Sequence, residues 1–388
     1  MFSSRLKWDS AVNPLAALLA EKRRAGKSVL DLTESNPTHA GFEYPGDEIL
    51  SALSDPGCLR YDPAPRGLHS AREAVAEYYA RRGVAVDPSR ILLTASTSEA
   101  YAYLFKLLAN PGDEILVPRP SYPLFEFLAA MESVQLRQYP LRYDGAWRVD
   151  FEGLDHVTGP RARAIVVVNP NNPTGSFLKR EECARLEEFA ATRGIAILCD
   201  EVFSDFALAP DSTRVPTLAG GGNALTFSMS GLSKIAGLPQ MKLGWIVAGG
   251  PKHEEALNGL EWIADTYLSV ATPAQVALPR LLQAGEEVRA QILERTRANL
   301  EFLRLAIGSS SPCRALNLEG GWYVTLQVPR TRSEEEWALD LLANHDVLVQ
   351  PGFFYDFDSE AFLVLSLLTP SQVFQQGMAQ VLHLTEKT

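Results

Sequence analysis

Ser228-Met229-Ser230-Gly231-Leu232-Ser233-Lys234-Ile235-Ala236-Gly237-Leu238-Pro239-Gln240-Met241-Lys242-Leu243-Gly244-Trp245 follows an apolar β-type run, 224–227, and leads into another, 243–248. The segment is rich in small and hydroxylated residues and sets Lys234 between Ser233 and Ile235. A surface helix would surround a lysine with Glu, Gln and Ala instead. A lysine held out of water is costly unless it is paired or shifts its pKa. A lowered pKa turns the ammonium into a nucleophilic amine, as Schiff-base chemistry requires. A solvated lysine on a surface loop explains the same letters, so the reading depends on what lies on either side.

Outward from this stretch, strand-like runs alternate with helical patterns between residues 91 and 249. Strands are expected at 90–94, 114–117, 163–168, 195–199, 224–228 and 243–248. Helices are expected at 99–109, 121–131 and 179–193, with a turn after Lys234. Such alternation predicts an α/β fold with a mainly parallel sheet flanked by helices. Ala164-Ile165-Val166-Val167-Val168 and Ile195-Ala196-Ile197-Leu198 are continuously apolar, as strands buried on both faces are. Ligands of such sheets bind outside the carboxyl ends of the strands.

The flanks read differently. A helix is expected over 11–26, a short strand at 28–32, a turn at 33–37, extended loop over 41–66 and a helix over 68–82. A long helix is expected over 273–307, then a strand within 320–329, a helix at 333–344 and a hairpin-like region through 347–350 and 362–366. These predict a smaller α+β domain from residues 1–44 and 286–388, beside a large domain of 45–285.

The 388 residues carry 36 Lys and Arg against 47 Asp and Glu, a formal charge of −11. That sign argues against a nucleic-acid partner, whose phosphates demand clustered cations. The four cysteines are far apart and form no Cys-x-x-Cys pair, and the six histidines show no metal-ligand spacing. No metal site is expected. Residues 1–10 lack the apolar core of a signal peptide, and no apolar run approaches the ~20 residues of a membrane span. A reducing, cytoplasmic setting is the expectation.

Four further stretches carry chemistry. Thr94-Ala95-Ser96-Thr97-Ser98-Glu99-Ala100 opens a helix, where free N–H groups and the positive helix end suit an anion; Ser98 as a plain N-cap is the competing reading. Pro118-Arg119-Pro120-Ser121-Tyr122-Pro123 fixes a loop presenting Tyr122 as a stacking surface or a core aromatic. Asn169-Pro170-Asn171-Asn172-Pro173-Thr174-Gly175 ends a buried strand with more asparagine and proline than a turn requires. Asp200-Glu201 ends the next strand and could pair with a protonated ring nitrogen or cap a helix.

Phosphate cradle, stacking aromatic, turn asparagine, acid and lysine in this order resemble the class I/II aminotransferase family of pyridoxal-phosphate enzymes, fold type I. Asn-Asn-Pro-Thr-Gly, Asp-Glu-Val-Phe and Ser-Lys followed by Leu-Gly-Trp carry the resemblance, which covers nearly the whole chain. It implies a seven-stranded-type sheet in the large domain and pyridoxal 5′-phosphate as cofactor. It implies that Lys234 forms the internal aldimine and shuttles a proton, and that Asp200 keeps the ring nitrogen protonated. Asn172 resembles the asparagine on the phenolic oxygen and Tyr122 the stacking ring. Ser96, Thr97 and Ser98 match the phosphate turn, with Ser233 and Lys242 as further cofactor contacts. Tyr61 resembles the tyrosine that reaches the neighbouring subunit's phosphate, which implies a homodimer with shared active sites.

Departures bear on the substrate. Phe203 stands where the family usually has a tyrosine donating to the phenolic oxygen, which predicts a raised aldimine pKa. Lys242 replaces an arginine, keeping the charge without the bidentate fork. Gly231 replaces a serine, for which Ser230 or Ser233 could compensate, and Ser35 replaces a glycine in the N-terminal turn. Val364-Leu365-Ser366 replaces a segment whose arginine grips the substrate carboxylate. Either another cation, Arg66, supplies that grip, or the substrate has no free α-carboxylate there. The expected activity is amino-group transfer between an amino donor and a 2-oxo acid. A carbon–sulfur β-lyase is the alternative on the same fold. A regulatory domain would need a helix-turn-helix module, and too few residues precede Leu30 to form one. An inactive scaffold fits poorly with both Asp200 and Lys234.

Overall fold

The computed structural model describes residues 2–6 and 13–387. The chain opens with α1 (Pro14–Arg24), β1 (Leu30–Asp31), α2 (Gly46–Leu53) and α3 (His69–Arg81). The central run is β2 (Ile91–Thr94), α4 (Thr97–Leu108), β3 (Glu114–Arg119), α5 (Leu124–Glu132), β4 (Gln135–Tyr143), β5 (Trp147–Val149), α6 (Phe151–Val157), β6 (Ala162–Val168), α7 (Arg180–Arg193), β7 (Ala196–Asp200), β8 (Thr226–Gly231), α8 (Leu232–Ile235) and β9 (Gly244–Gly249). Then follow α9 (His253–Tyr267), α10 (Thr272–Ala306), β10 (Arg314–Ala315), β11 (Tyr323–Gln327), α11 (Glu334–His345), β12 (Val347–Leu348), β13 (Gln350–Pro351), β14 (Phe362–Ser366) and α12 (Ser371–Glu386).

The large sheet has eight strands in the order β2-β9-β8-β7-β6-β3-β4-β5. The run β8-β7-β6-β3-β4 is parallel, while β9 is antiparallel to both β2 and β8. The carboxyl ends of β2, β3, β6, β7 and β8 therefore share one edge with the amino end of β9. All six strands expected from the pattern are present. β4 and β5 extend the sheet at the β3 side; β5 turns back antiparallel on β4 and adds an eighth strand to the seven expected. β4 was silent in the pattern because it is a polar strand near the sheet edge, containing Pro140 and mostly half-buried or exposed.

The smaller sheet runs β10-β11-β14-β13, all antiparallel, and β1 pairs in parallel with β12. Residues 347–350 thus do not form a simple hairpin: β12 turns to the N-terminal segment and β13 to β14. α2 corrects the reading of 41–66 as wholly extended loop. It is short, but Ile49 and Ala52, three apart, are both buried on one face. α6, α9 and α12 also lay outside the expected helices. The helix expected at 11–26 is present as α1, with Asn13 capping it and Pro14 at its first position; residues 11 and 12, and residues 1 and 7–10 of the N-terminal stretch, lie outside the described residues.

Buried apolar side chains segregate. One cluster joins Leu15 and Leu32 to residues between Leu300 and Leu384. Three others lie between Ile49 and Ala284 on the two faces of the large sheet. A fifth, rich in aromatics, brings Phe203, Phe206, Val288, Trp322, Tyr323 and Val364 together between them. α10, 35 residues long, contributes to both sides, from Ala274 to Leu303.

Candidate active site

Lys234 lies in α8, one turn past the end of β8. Its amine stands 4.9 Å above the Trp322 ring and 5.8 Å from that of Phe203. Burial drives its pKa down to about 8, partly opposed by the charge of Asp200. Asp200 ends β7, the strand beside β8. Burial pushes its carboxyl up to about 6, against hydrogen bonds from the Val202 N–H and the Tyr101 hydroxyl and the charge of Lys234. The amine and the carboxylate thus lie half-buried at the ends of adjacent strands, close enough for each to feel the other's charge. Glu201, the next residue, points the other way, as successive strand residues do. It is fully buried and accepts from Thr217 Oγ1 at 2.6 Å and the Leu218 N–H at 2.7 Å.

The phosphate turn is built by α4. Ser96, not Ser98, is the cap: its hydroxyl accepts the Glu99 N–H at 3.2 Å, and Glu99 in turn accepts the Ala95 N–H. Thr97 and Ser98 fill the first two helical positions, whose N–H groups have no acceptor within a helix. Ser96, Thr97 and Ser98 are all half-buried, open to an anion at the positive helix end.

Of the three turn asparagines, Asn169 holds the Leu178 N–H and the Val215 carbonyl, and Asn171 accepts from Thr174. Asn172 is buried with its amide oxygen unpartnered. Tyr122 is 46% exposed, and its hydroxyl is made less acidic by burial and then by the charge of Asp200. Ser35 is exposed, and its side chain lies near the hydroxyl of Tyr323, the residue after Trp322. Ser233 is half-buried beside Lys234. Lys242 is exposed in a left-handed conformation (φ 48°) at the end of the 239–241 turn, with no contact joining it to Lys234. Tyr61 is 73% exposed and lines a shallow pocket with Leu268, Ser269 and Val270, away from Lys234.

The guanidinium of Arg66 is committed to Glu261 Oε2 at 2.7 Å, Asn258 Oδ1 at 3.0 Å and the Ser89 carbonyl. These acceptors occupy all three of its nitrogens and hold the side chain toward α9. Val364 does face the site: it is buried in the cluster of Phe203, Trp322 and Tyr323, while Leu363 and Leu365 face the smaller sheet's own core.

Two features escaped the sequence reading. Trp322, beneath the lysine, is held by its preceding loop: the Glu319 and Gly320 N–H groups donate to the Gly175 carbonyl, Gly321 donates to Phe206, and Lys179 bonds Glu319 at 2.5 Å. Gly320-Gly321 before an aromatic strand was its only signal. Tyr101, on Asp200, had none beyond its place three residues after Ser98. Backbone packing fixes the lysine turn itself. A Cβ on Gly231 would lie 2.9 Å from Gly244 Cα and from the Leu243 carbonyl, and one on Gly285 of α10 would collide with Ala236.

These residues fit a phosphorylated pyridine aldehyde. They offer an amine poised near neutrality, a carboxylate beside it, an unpartnered amide and an anion-binding helix end. A family profile described as "Aminotransferase class I and II" matches residues 27–374. The chain is 26% identical over 357 residues to glutamate-pyruvate aminotransferase AlaA of Haemophilus influenzae, covering 88% of this chain and 87% of that one. It is 31% identical over 266 residues to its Escherichia coli namesake, covering 68% and 65%. The fold matches an alanine aminotransferase from Pyrococcus furiosus with a TM-score of 0.88 at 24% identity, over 100% of both chains. This chain belongs to the class I and II aminotransferases, pyridoxal-phosphate-dependent enzymes of fold type I that transfer amino groups.

Proposed function

We propose that Lys234 carries the cofactor and then moves the proton at the substrate carbon bearing nitrogen, as an amino group passes from an amino donor to a 2-oxo acid. The observation that carries this reading is the pairing of Lys234 and Asp200 at the ends of neighbouring strands, each feeling the other's charge, with the amine's pKa lowered to about 8 by burial. An amine near that value is partly unprotonated at neutral pH and can both attack and accept a proton. Pyridoxal phosphate supplies an electron sink when bound. Asp200 holds its ring nitrogen, Asn172 its phenolic oxygen and Tyr122 its face. Ser96, Thr97, Ser98, Ser233 and Lys242 take the phosphate. Ser35 lies on the substrate side.

The same reading includes a homodimer in which Tyr61 reaches the partner's phosphate. Leu59, Tyr61, Trp262 and Tyr267 support it, being apolar side chains left exposed on one protomer. The four unpaired cysteines suit a reducing, cytoplasmic setting. Domain limits of 45–285 for the larger lobe and 1–44 with 286–388 for the smaller are supported by the separation of the buried clusters, with the boundary inside α10.

Lys234→Ala tests the assignment: visible absorbance of the lysine-bound cofactor is lost, and retained absorbance would reject it. Adding amino donors singly to the holoenzyme should convert that band to pyridoxamine phosphate. Release of a carbonyl product without that conversion would identify a β-lyase instead. A second reading narrows the donor. With Val364 facing the site and Arg66 committed elsewhere, donors without a free α-carboxylate at that position should react at least as well as their carboxylated counterparts.

A further inference from the structure

We infer that Tyr101 is a positioning residue for Asp200: its hydroxyl holds the carboxylate ionised and aimed at the cofactor's ring nitrogen. This rests on the reading of Asp200 given above. The Tyr101 hydroxyl donates to Asp200 Oδ2 at 3.1 Å, and the Val202 N–H donates to Oδ1 at 3.1 Å. Each carboxylate oxygen thus has one donor, which fixes its plane.

Tyr101 itself is held rigidly. It is 3% exposed, edge-on to Phe125 at 5.3 Å and tilted against Phe105 at 5.9 Å. Burial, then the charge of Asp200, raises its phenol well above the ordinary value, so it acts as a donor and not an anion. Ser98 and Tyr101 lie three apart on α4, hence on neighbouring positions of one helix face. A single rigid helix therefore sets both the anion-binding end and the orientation of the acid.

The groups facing Asp200 show why a donor is needed. Lys234 from α8 favours the carboxylate, while burial and the neighbouring Glu201 favour the neutral acid. Tyr122, before α5, is held neutral by burial and then by the charge of Asp200, and Cys199, in β7, by burial and then chiefly by Glu201. Without the Tyr101 hydroxyl the balance moves toward a protonated Asp200. A carboxyl that keeps its own proton cannot stabilise one on the ring nitrogen.

Tyr101→Phe removes the hydroxyl and leaves the ring contacts. Carboxyl ¹³C titration of aspartate-labelled apoprotein, assigned with Asp200→Asn, should show Asp200 near pH 6 in the wild type and about one unit higher in the variant, a tenfold change in proton affinity. In holoprotein carrying ¹⁵N-labelled pyridoxal phosphate, the protonated ring-nitrogen signal should weaken in Tyr101→Phe and vanish in Asp200→Asn. Loss in Asp200→Asn with both readouts unchanged in Tyr101→Phe would overturn the role of Tyr101 alone. A ring nitrogen unaffected by Asp200→Asn would overturn the underlying reading of the site.

Discussion

Phe203 has no hydroxyl where a donor to the cofactor's phenolic oxygen would stand, and its ring packs at 5.2 Å against Trp322. Phe203→Tyr should lower the pH at which the lysine-bound cofactor band titrates by about one to two units, the worth of one hydrogen bond to a charged group. A spectrophotometric titration of the two holoenzymes measures it; coincident curves would show that a hydroxyl at 203 does not reach that oxygen. Lys234, Asp200 and Asn172 were legible in the sequence because each follows a recognisable buried strand. Trp322 and Tyr101 were not, since each meets its partner across about 90 to 100 residues of chain. The partners of Arg66 were not legible because a guanidinium donates to whichever acid the fold brings near, and α9, which supplies Glu261, was itself unread.

The strands of the large sheet were legible from continuous apolar runs, whereas β4 is polar and interrupted by Pro140, and α2 is only 8 residues long. Element geometry also explains one departure, the glycine at 231 in place of a serine. Restoring a serine at Gly231 would force its Cβ against the Gly244 backbone, so Gly231→Ser should destabilise the protein by about 1–3 kcal/mol in urea unfolding. Ser230 offers no simple replacement, because its hydroxyl is buried inside the sheet without a partner. At the head of α4, Ser96→Ala removes the cap on Glu99 and should cost about 1 kcal/mol of stability. Cofactor affinity should fall with it, read by equilibrium dialysis of pyridoxal phosphate.

For the whole molecule, the buried lysine is a burden until the cofactor takes it up. Burial holds its pKa in the folded protein at about 8, below the ordinary lysine value of 10.5. Below about pH 8 both folded and unfolded chains carry the charge and the full cost of burying it is felt; the cost disappears as pH rises from about 8 to 10.5. The apoprotein of Lys234→Met should therefore be more stable than wild type at pH 7, by up to about 3 kcal/mol, and that advantage should shrink across pH 8 to 10.5. Urea midpoints for both apoproteins across this range provide the measurement, and a pH-independent difference would mean the amine is effectively solvated. Sedimentation equilibrium of wild type and Tyr61→Ala tests assembly: a dimer is expected for the wild type, with weaker phosphate retention in the variant.

α10 touches Ala236 at Gly285 and reaches the smaller lobe's interior at Leu300 and Leu303. A rod fastened at one end to the reactive turn and at the other to the smaller lobe's core ties the two together mechanically. Any tilt of the smaller lobe around an arriving substrate would be felt two residues from the amine, with no flexible joint between to absorb it.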